Sequence, residues 1–269
     1  MSVACQKQYQ LTVNPVSISP DAYWTLDEAA GNRIDKVNAT ALVPGGGGIL
    51  EALPALFSNG VGFPEKGAGL SNLANTAVST LAPQGGGWSW WFWFNVQNWP
   101  PTIPAPWNIP PTMLFGDPGF GPGAAYRITI VWDPTDTNLF CQDGLSLNTV
   151  GTQWSDNSGN IYCGAPLPVT TGIWYFMHMF YDSVAGKVGY QVNHGSLVYA
   201  TQGLGPPANP TFAGPNRNGQ LNIAQQWILA DTATVSVLVD EMGFKLSRML
   251  TDSEVAYLYN GGIGRTWPI

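Results

Sequence analysis

An all-β sandwich is the fold class this sequence predicts, from three observations. Gly and Pro, 32 and 22 of 269 residues, make up about a fifth of the chain, short of the roughly 25–30% that marks low complexity but enough to interrupt helices repeatedly. Apolar runs of strand length recur, separated by turn residues. Only one segment, near the C-terminus, carries matched helix start and stop signals. The length suits one large β domain or two small ones. The 12 Trp and 12% aromatic content exclude a disordered chain, which would be highly charged and poor in rings.

Residues 1–19 read as a separate extended arm, and residues 20–269 as the domain. In the arm, Tyr9-Gln10-Leu11-Thr12-Val13 alternates as a strand does, and Pro15 and Pro20 punctuate it. Strands follow at residues 23–27 and, after Gly85-Gly86-Gly87, at residues 88–96. Others fall at 113–115, 126–132 and 235–244. Residues 173–181 are apolar on both faces, as a central strand between two layers must be. Residues 187–193 pair with them across the turn at residues 182–186, and Val188, Tyr190 and Val192 share one face. The helix begins at Thr251-Asp252-Ser253-Glu254, a capping box: the Thr251 hydroxyl accepts the Glu254 amide and the Glu254 carboxylate accepts the Thr251 amide. Leu250 and Val255 form the accompanying hydrophobic staple, the acids suit the helix N-terminus, and Gly261-Gly262 ends the helix.

A net charge of −7, with ten scattered Lys and Arg, argues against nucleic acid, whose phosphates need clustered cations. No apolar run reaches the roughly 18 residues of a membrane span, so no membrane insertion is expected. No basic-then-apolar leader follows Met1. Either a leader is removed, or the protein leaves its cell by another route such as assembly into a virus particle. Three cysteines leave two readings open. Cys141 and Cys163 close a disulfide, leaving Cys5 free or intermolecular, or all three are reduced thiols.

Three stretches together resemble the laminin-G-like, concanavalin-A-like lectin-glucanase family. The first is Tyr23-Trp24-Thr25-Leu26-Asp27-Glu28 with Gly31 and Asp35. The second is Trp174-Tyr175-Phe176-Met177-His178 through Asp182, with Tyr190-Gln191-Val192-Asn193. The third and most specific is Val239-Asp240-Glu241-Met242-Gly243-Phe244, then Arg248 to Val255, then Leu258-Tyr259-Asn260-Gly261-Gly262. The resemblance implies a two-sheet antiparallel jelly roll whose first and last core strands are neighbours. It also implies a function among carbohydrate-binding and adhesion modules, with some glycosidases of related fold. Where the family hairpin ends Asn-Gly, Asn193-His194-Gly195 has an extra residue, so a three-residue turn with a bulge is expected.

The chemistry of catalysis is hard to find. A glycosidase needs two carboxylates facing one bond. The Glu-x-Asp-x-x-Glu strand of the hydrolases with this fold is missing, and Asp27-Glu28 and Asp240-Glu241 are adjacent pairs that a regular strand would send to opposite faces. Of the two histidines, His178 reads as a satisfied core residue and His194 as a solvated turn residue. Gly45 to Gly48 lacks the Lys of a phosphate loop. No catalytic residue is assigned. If the first and last strands pair, Glu28, Asp35 and Asp240 would converge as oxygen ligands for structural calcium; the competing reading is that they accept backbone amides and brace a turn. No other cofactor is expected.

Binding residues are easier to place. Residues 99–112 contain six prolines, so the loop loses little entropy on ordering and holds Trp99 and Trp107 as platforms for sugar C–H faces, with Asn108 and Asp117 nearby for hydroxyls. Trp154, within Gln-Trp-Ser-Asp-Asn, is a second candidate. The alternative is that these rings are core, or that the loop seals a sheet edge. The expected function is therefore a non-enzymatic carbohydrate- or cell-surface-binding protein, extracellular or on a virion surface, with a glycan or cell-surface polysaccharide as partner. One alternative is a structural virion protein, a capsid decoration or fibre subunit, held to other virion proteins through residues 1–19 or to copies of itself as a homo-oligomer. The other is a glycoside hydrolase of the same fold.

Overall fold

A computed structural model gives the architecture, described for residues 17–46, 49–63, 68–71, 86–98, 113–116, 127–130, 149–156, 160–204, 222–223 and 236–269. The strands run β1 (Ala22–Trp24), β2 (Arg33–Ile34), β3 (Ala41–Gly46), β4 (Leu50–Pro54), β5 (Asn59–Phe63), β6 (Ala68–Ser71) and β7 (Trp88–Asn98). They continue as β8 (Met113–Gly116), β9 (Arg127–Ile130), β10 (Thr149–Val150), β11 (Gln153–Ser155), β12 (Ile161–Cys163), β13 (Leu167–Pro168) and β14 (Trp174–Asp182). The remainder are β15 (Lys187–Val192), β16 (Val198–Tyr199), β17 (Thr201–Leu204), β18 (Asn222–Ile223) and β19 (Ser236–Lys245), followed by one helix, α1 (Asp252–Tyr259). The expected all-β class with a single short C-terminal helix is what the chain adopts.

The main sheet has eight antiparallel strands in the order β16-β15-β14-β7-β19-β5-β4, with β1 also paired to β19. A six-stranded sheet (β2-β3-β6-β18-β8-β9) and two smaller ones complete the layers. At the centre, β7 is flanked by β14 and β19, and its sequence WSWWFWF buries rings on both faces. Trp90, Phe92 and Phe94 point inward to a core shared with Leu42, Val150, Trp154 and Tyr162 of the facing layer. Trp91 and Trp93 point outward, where Leu250, Val255 and Leu258 cover them. Two-sided burial explains why these strands read as continuous apolar runs. Gly243, opposite Trp91, is required by this packing: a Cβ there would lie 2.2 Å from Trp91 Cζ2.

The family-implied neighbours do pair, Ala22 to Trp24 lying against Met242 to Phe244. Strand β1 is shorter than the sequence indicates because Leu26 turns to φ +60°. The expected β14–β15 hairpin forms, its turn braced by Asp182 Oδ1, which accepts the amides of Val184 and Ala185, both at 3.0 Å. The turn after β15 keeps the extra residue that the sequence indicates. Asn193 and His194 both have positive φ and Gly195 donates to the Val192 carbonyl at 2.8 Å, while the pairing of Gly189 with Tyr199 and Tyr190 with Val198 leaves three residues, 193–195, in the turn, so the extra residue is accommodated there. Ile18 and Ser19, the end of the expected arm, join the sandwich: Ile18 is buried in the outer cluster and the Ser19 carbonyl accepts Lys245 Nζ at 2.9 Å. Residues 1–16 lie outside the described residues.

Helix α1 starts as the capping box requires, with both reciprocal bonds present. Asn260, at φ 47° and ψ 46°, ends it one residue before the expected glycines, since a left-handed residue breaks the helical repeat. Cys163 is disulfide-bonded; both possible partners, Cys5 and Cys141, lie outside the described residues. Replacing Thr251 by Ala removes one capping acceptor and should lower stability by about 1 kcal/mol, read as a fall in Tm with native circular dichroism at room temperature.

Candidate functional site

The sequence-predicted ligand-binding residues Trp99, Trp107, Asn108 and Asp117 lie outside the described residues. The fifth, Trp154, is not a rim residue. It is fully buried and stacks on Tyr190 with centroids 6.5 Å apart, so it belongs to the core between the layers. Alternation along β11 turns this ring inward, a choice the neighbouring polar residues do not reveal.

The expected calcium ligands are not brought together. Asp35 Oδ1 accepts the amides of Tyr23 at 2.8 Å and Val37 at 2.9 Å, and its Oδ2 accepts Asn38 at 3.1 Å, so it braces the turn after β1. Glu28 Oε1 accepts the Ile34 amide at 3.1 Å and sits 3.6 Å from Lys36 Nζ. Asp240 Oδ2 accepts the Phe57 amide at 3.2 Å. Among the described residues no group of three or more His, Cys, Asp or Glu side chains is arranged to hold a metal ion. Both Asp35 oxygens accept amides, whereas Glu28 Oε2 and Asp240 Oδ1 are buried without a hydrogen-bond partner.

A different acidic group forms around Asp240, and it corrects the expectation of strict alternation. The register of β19 slips between Asp240 and Met242, and the intervening Glu241 has φ +44°, a bulge. On the far edge of β19, β5 pairs with Val237 to Val239 and β1 with Met242 to Phe244, so the bulge falls where the edge partner changes. It brings the Glu241 carboxyl beside Tyr23 on the outer face, where Asp240 also sits opposite Trp93. Both acids are buried. Burial, then the charge of nearby Asp27, raises Asp240 to about 7, against the Phe57 amide that opposes the shift. Burial, then Asp240 and Asp27, raises Glu241 to about 9; Tyr23 pulls the other way yet stops short of hydrogen-bond geometry, leaving both Glu241 oxygens unpartnered. The same burial and acids hold the Tyr23 phenol well above its usual range. Two carboxyls on one face could resemble a glycosidase pair, but these are sealed beneath the outer cluster of Tyr23, Phe57, Trp93 and Trp267.

A buried Ser–His contact is also present, Ser89 Oγ lying 2.8 Å from His178 Nε2. Neither side chain is exposed, so no substrate can meet the hydroxyl. His178 is the core residue its apolar strand indicates. His194, expected to be simply solvated, bonds Asp252 Oδ1 at 3.0 Å from its turn.

Accessible chemistry at the sheet edge is concentrated in a group that sequence reasoning missed. Tyr199 on edge strand β16 keeps 37% of its surface in solvent. Its hydroxyl donates to Asp182 Oδ2 at 3.0 Å, Lys187 Nζ lies 5.5 Å from the ring centroid, and Phe180 meets the ring edge-on. Asp182 is held below the usual carboxylate range by the Ala185 amide, Tyr199 and the Val184 amide, which outweigh its modest burial. A fixed aromatic ring beside an anion and an ammonium is suited to contact with a polyhydroxylated ligand. The signal available was the β14–β15 turn, which brings Asp182 and Lys187 together; the pairing that adds Tyr199 is non-local.

No family model matches the sequence, and no curated protein matches it. Among solved structures the chain is similar to the binding domain of botulinum neurotoxin serotype D. That match has 9% identity and a TM-score of 0.58, covering 90% of this chain and 51% of that one. The serotype C1 binding domain is similar at 11% identity and TM-score 0.59, covering 92% and 53%. A Trypanosoma rangeli sialidase is similar at 11% identity and TM-score 0.56, covering 93% of this chain and 35% of the sialidase. The chain thus spans about half the length of the neurotoxin binding domains it matches. At these identities the likeness establishes a shared β-sandwich fold.

Raised carboxyls give a signed pH dependence. Asp240 and Glu241 keep their protons in the folded chain over a range where the unfolded chain has lost them. Stability therefore falls as pH rises from about 4, towards 7 for Asp240 and towards 9 for Glu241. Asp240→Asn with Glu241→Gln should raise stability at pH 9 by on the order of 2 kcal/mol and much less at pH 4, measured by urea unfolding at the two pH values.

Proposed function

We propose that this protein is a non-enzymatic module that binds carbohydrate or other cell-surface material outside the cell. The observation that carries the reading is where the polar chemistry sits. The acid pair and the Ser–His contact are buried on the outer face of the main sheet, while the Tyr199–Asp182–Lys187 group faces solvent at its edge. Among the described residues the reactive groups are sealed and a braced ring is displayed, an arrangement that supports holding a surface over turning over a substrate. The Pro-rich segment with Trp99, Trp107, Asn108 and Asp117 is a second contact region in this reading.

The structural relatives support it by class. Several are toxin binding domains, and cell entry of another relative, botulinum neurotoxin type C, is dependent upon interaction with two ganglioside molecules. The laminin-G-like motifs point to the same class of function. The disulfide at Cys163 favours an oxidising, extracellular setting. Exposure on a virus particle, with residues 1–19 as the attachment to other virion proteins or to a second copy, is a further part of this proposal, supported by the low charge.

Glycan-array binding tests the proposal. Wild-type protein should be retained on a subset of glycans, and Tyr199→Ala or Trp107→Ala should each reduce retention by about fivefold to tenfold, as loss of one stacking contact of roughly 1–1.5 kcal/mol implies, with Tm within a few degrees. Retention on no glycan, or retention untouched by either change, would reject the carbohydrate reading. Release of reducing sugar from any retained glycan would reject the non-enzymatic one.

A further inference from the structure

Among the described side chains most cations have an acid of their own. Arg33, Lys36, Lys245 and Arg248 pair with Glu51, Glu28, Asp21 and Glu254 respectively. Lys187 and Arg265 pair with no carboxylate among the described residues, and each lies over a tyrosine ring instead. Lys187 is a flexible point charge 5.5 Å from its ring and belongs to the Tyr199 group. Arg265 is held far more closely. Its guanidinium carbon sits 4.0 Å from the Tyr257 ring centroid, and its Nε donates to the Tyr257 carbonyl at 2.9 Å.

The backbone that carries Arg265 is fixed as well. After Asn260 ends α1, the Gly264 amide donates to the Tyr259 carbonyl at 3.0 Å, and the Gly264 carbonyl accepts Asn260 Nδ2 at 2.9 Å. Gly264 is buried at φ +64°, where a Cβ would lie 2.1 Å from Phe57 Cζ and 3.0 Å from Trp93 Cζ2. The residue before Arg265 is therefore seated on the outer aromatic cluster. An exposed arginine ordinarily samples many rotamers, and ordering it for a ligand costs affinity. Here the fold does much of that ordering in advance. Bonding a last-turn carbonyl of the helix accounts for Nε alone. Both Nη groups have no acceptor among the described residues, and the side chain is exposed.

We propose that Arg265, braced on Tyr257, is a carboxylate-binding point that recognises the uronate residues of an acidic polysaccharide; it rests on the carbohydrate reading and adds a site to it. With Nε turned to the helix, the Nη N–H groups form the open end of the fork, parallel donors in one plane. A carboxylate accepts from such a fork with both oxygens at once, which a neutral hydroxyl cannot do. Overall charge does not gather anions here. The chain carries −7, so its field repels polyanions, and an acidic ligand must be held by directed bonds at a particular place. Helix α1 carries its acids, Asp252 and Glu254, in its first turn, and no carboxylate among the described residues occupies the fork. Ile263, two residues before Arg265, leaves 71% of its surface exposed and offers apolar contact to the C–H groups of a sugar ring.

Retention of the full chain on immobilised polygalacturonate tests this, against the same polymer with its carboxyls methyl-esterified, which removes the anion and keeps the ring. Wild type should be retained about tenfold better or more on the acid than on the ester. Arg265→Lys keeps the charge and loses the fork, so retention on the acid should fall by about fivefold to tenfold, while Tyr199→Ala leaves the preference for acid over ester in place. If Arg265 only caps the helix, Arg265→Lys lowers Tm with that preference unchanged or absent, and the inference is overturned. Equal capture by polyglutamate would assign the fork to protein carboxylates and overturn it too. Retention on neutral glycans alone would overturn this inference and leave the carbohydrate reading standing, whereas retention on no glycan would overturn both. Side-chain nitrogen spectra decide independently of any variant. The Arg265 Nη signals should shift on adding galacturonate and not on adding its methyl ester, and signals unmoved by both would refute the proposal.

Discussion

The pairing of β7 with β19 constrains everything else. Both strands lie in the middle of a sheet covered on its two faces, so neither can shift by one residue without moving rings of Trp size from one side to the other. Trp90, Phe92 and Phe94 fill the interior and Trp91 and Trp93 the outer side. The slip at Glu241 is the one departure in the middle of the pairing. It lets β5 and β1 share the same edge of β19, which closes the N-terminal segment against the last strand.

That closure has a cost, and the cost explains where the acids sit. A bulge breaks the alternation of side chains, so Glu241 joins Asp240 on the buried face instead of pointing away. Carboxyls enclosed this way hold their protons to higher pH, since burial penalises the charged form more than the available donors relieve it. Opposite in sense is His178, which burial keeps neutral. The interior thus contains ionisable groups held uncharged from both directions, and each lies near a point where a different element docks: β1 at the acids, the lead-in to α1 at the histidine.

Helix α1 is the outer counterpart of the facing layer. Its start is set locally by the capping box, but its position comes from Leu250, Val255 and Leu258 meeting Trp91, Trp93 and Phe176. The Arg248–Glu254 pair adds a further tie, with Glu254 lowered by Arg248 and by the Thr251 amide and hydroxyl despite partial burial. With the outer face closed by the helix and the inner face by the second layer, the binding proposed for this chain falls to the edges of the sandwich and the end of α1. The sandwich serves as scaffold, a division common to folds of this kind.

Much of this was legible in the order of residues. Two-sided apolar runs mark β7, β14 and β19, alternation marks β15, and the Thr251 to Glu254 box marks the helix, because each rests on neighbours a few positions apart. The family-like ends of the chain implied that β1 and β19 meet. What the order of residues could not decide depends on partners far away. Trp154 reads as a rim residue until the packing of β11 places it on Tyr190, and Asp240 and Glu241 read as facing apart until the bulge turns them together. Tyr199 becomes a candidate contact only when β16 pairs with β15 and sets it beside Asp182. Local sequence sets backbone preference and periodicity; which side of a sheet is enclosed, and which charges share it, is settled only when distant strands come into register.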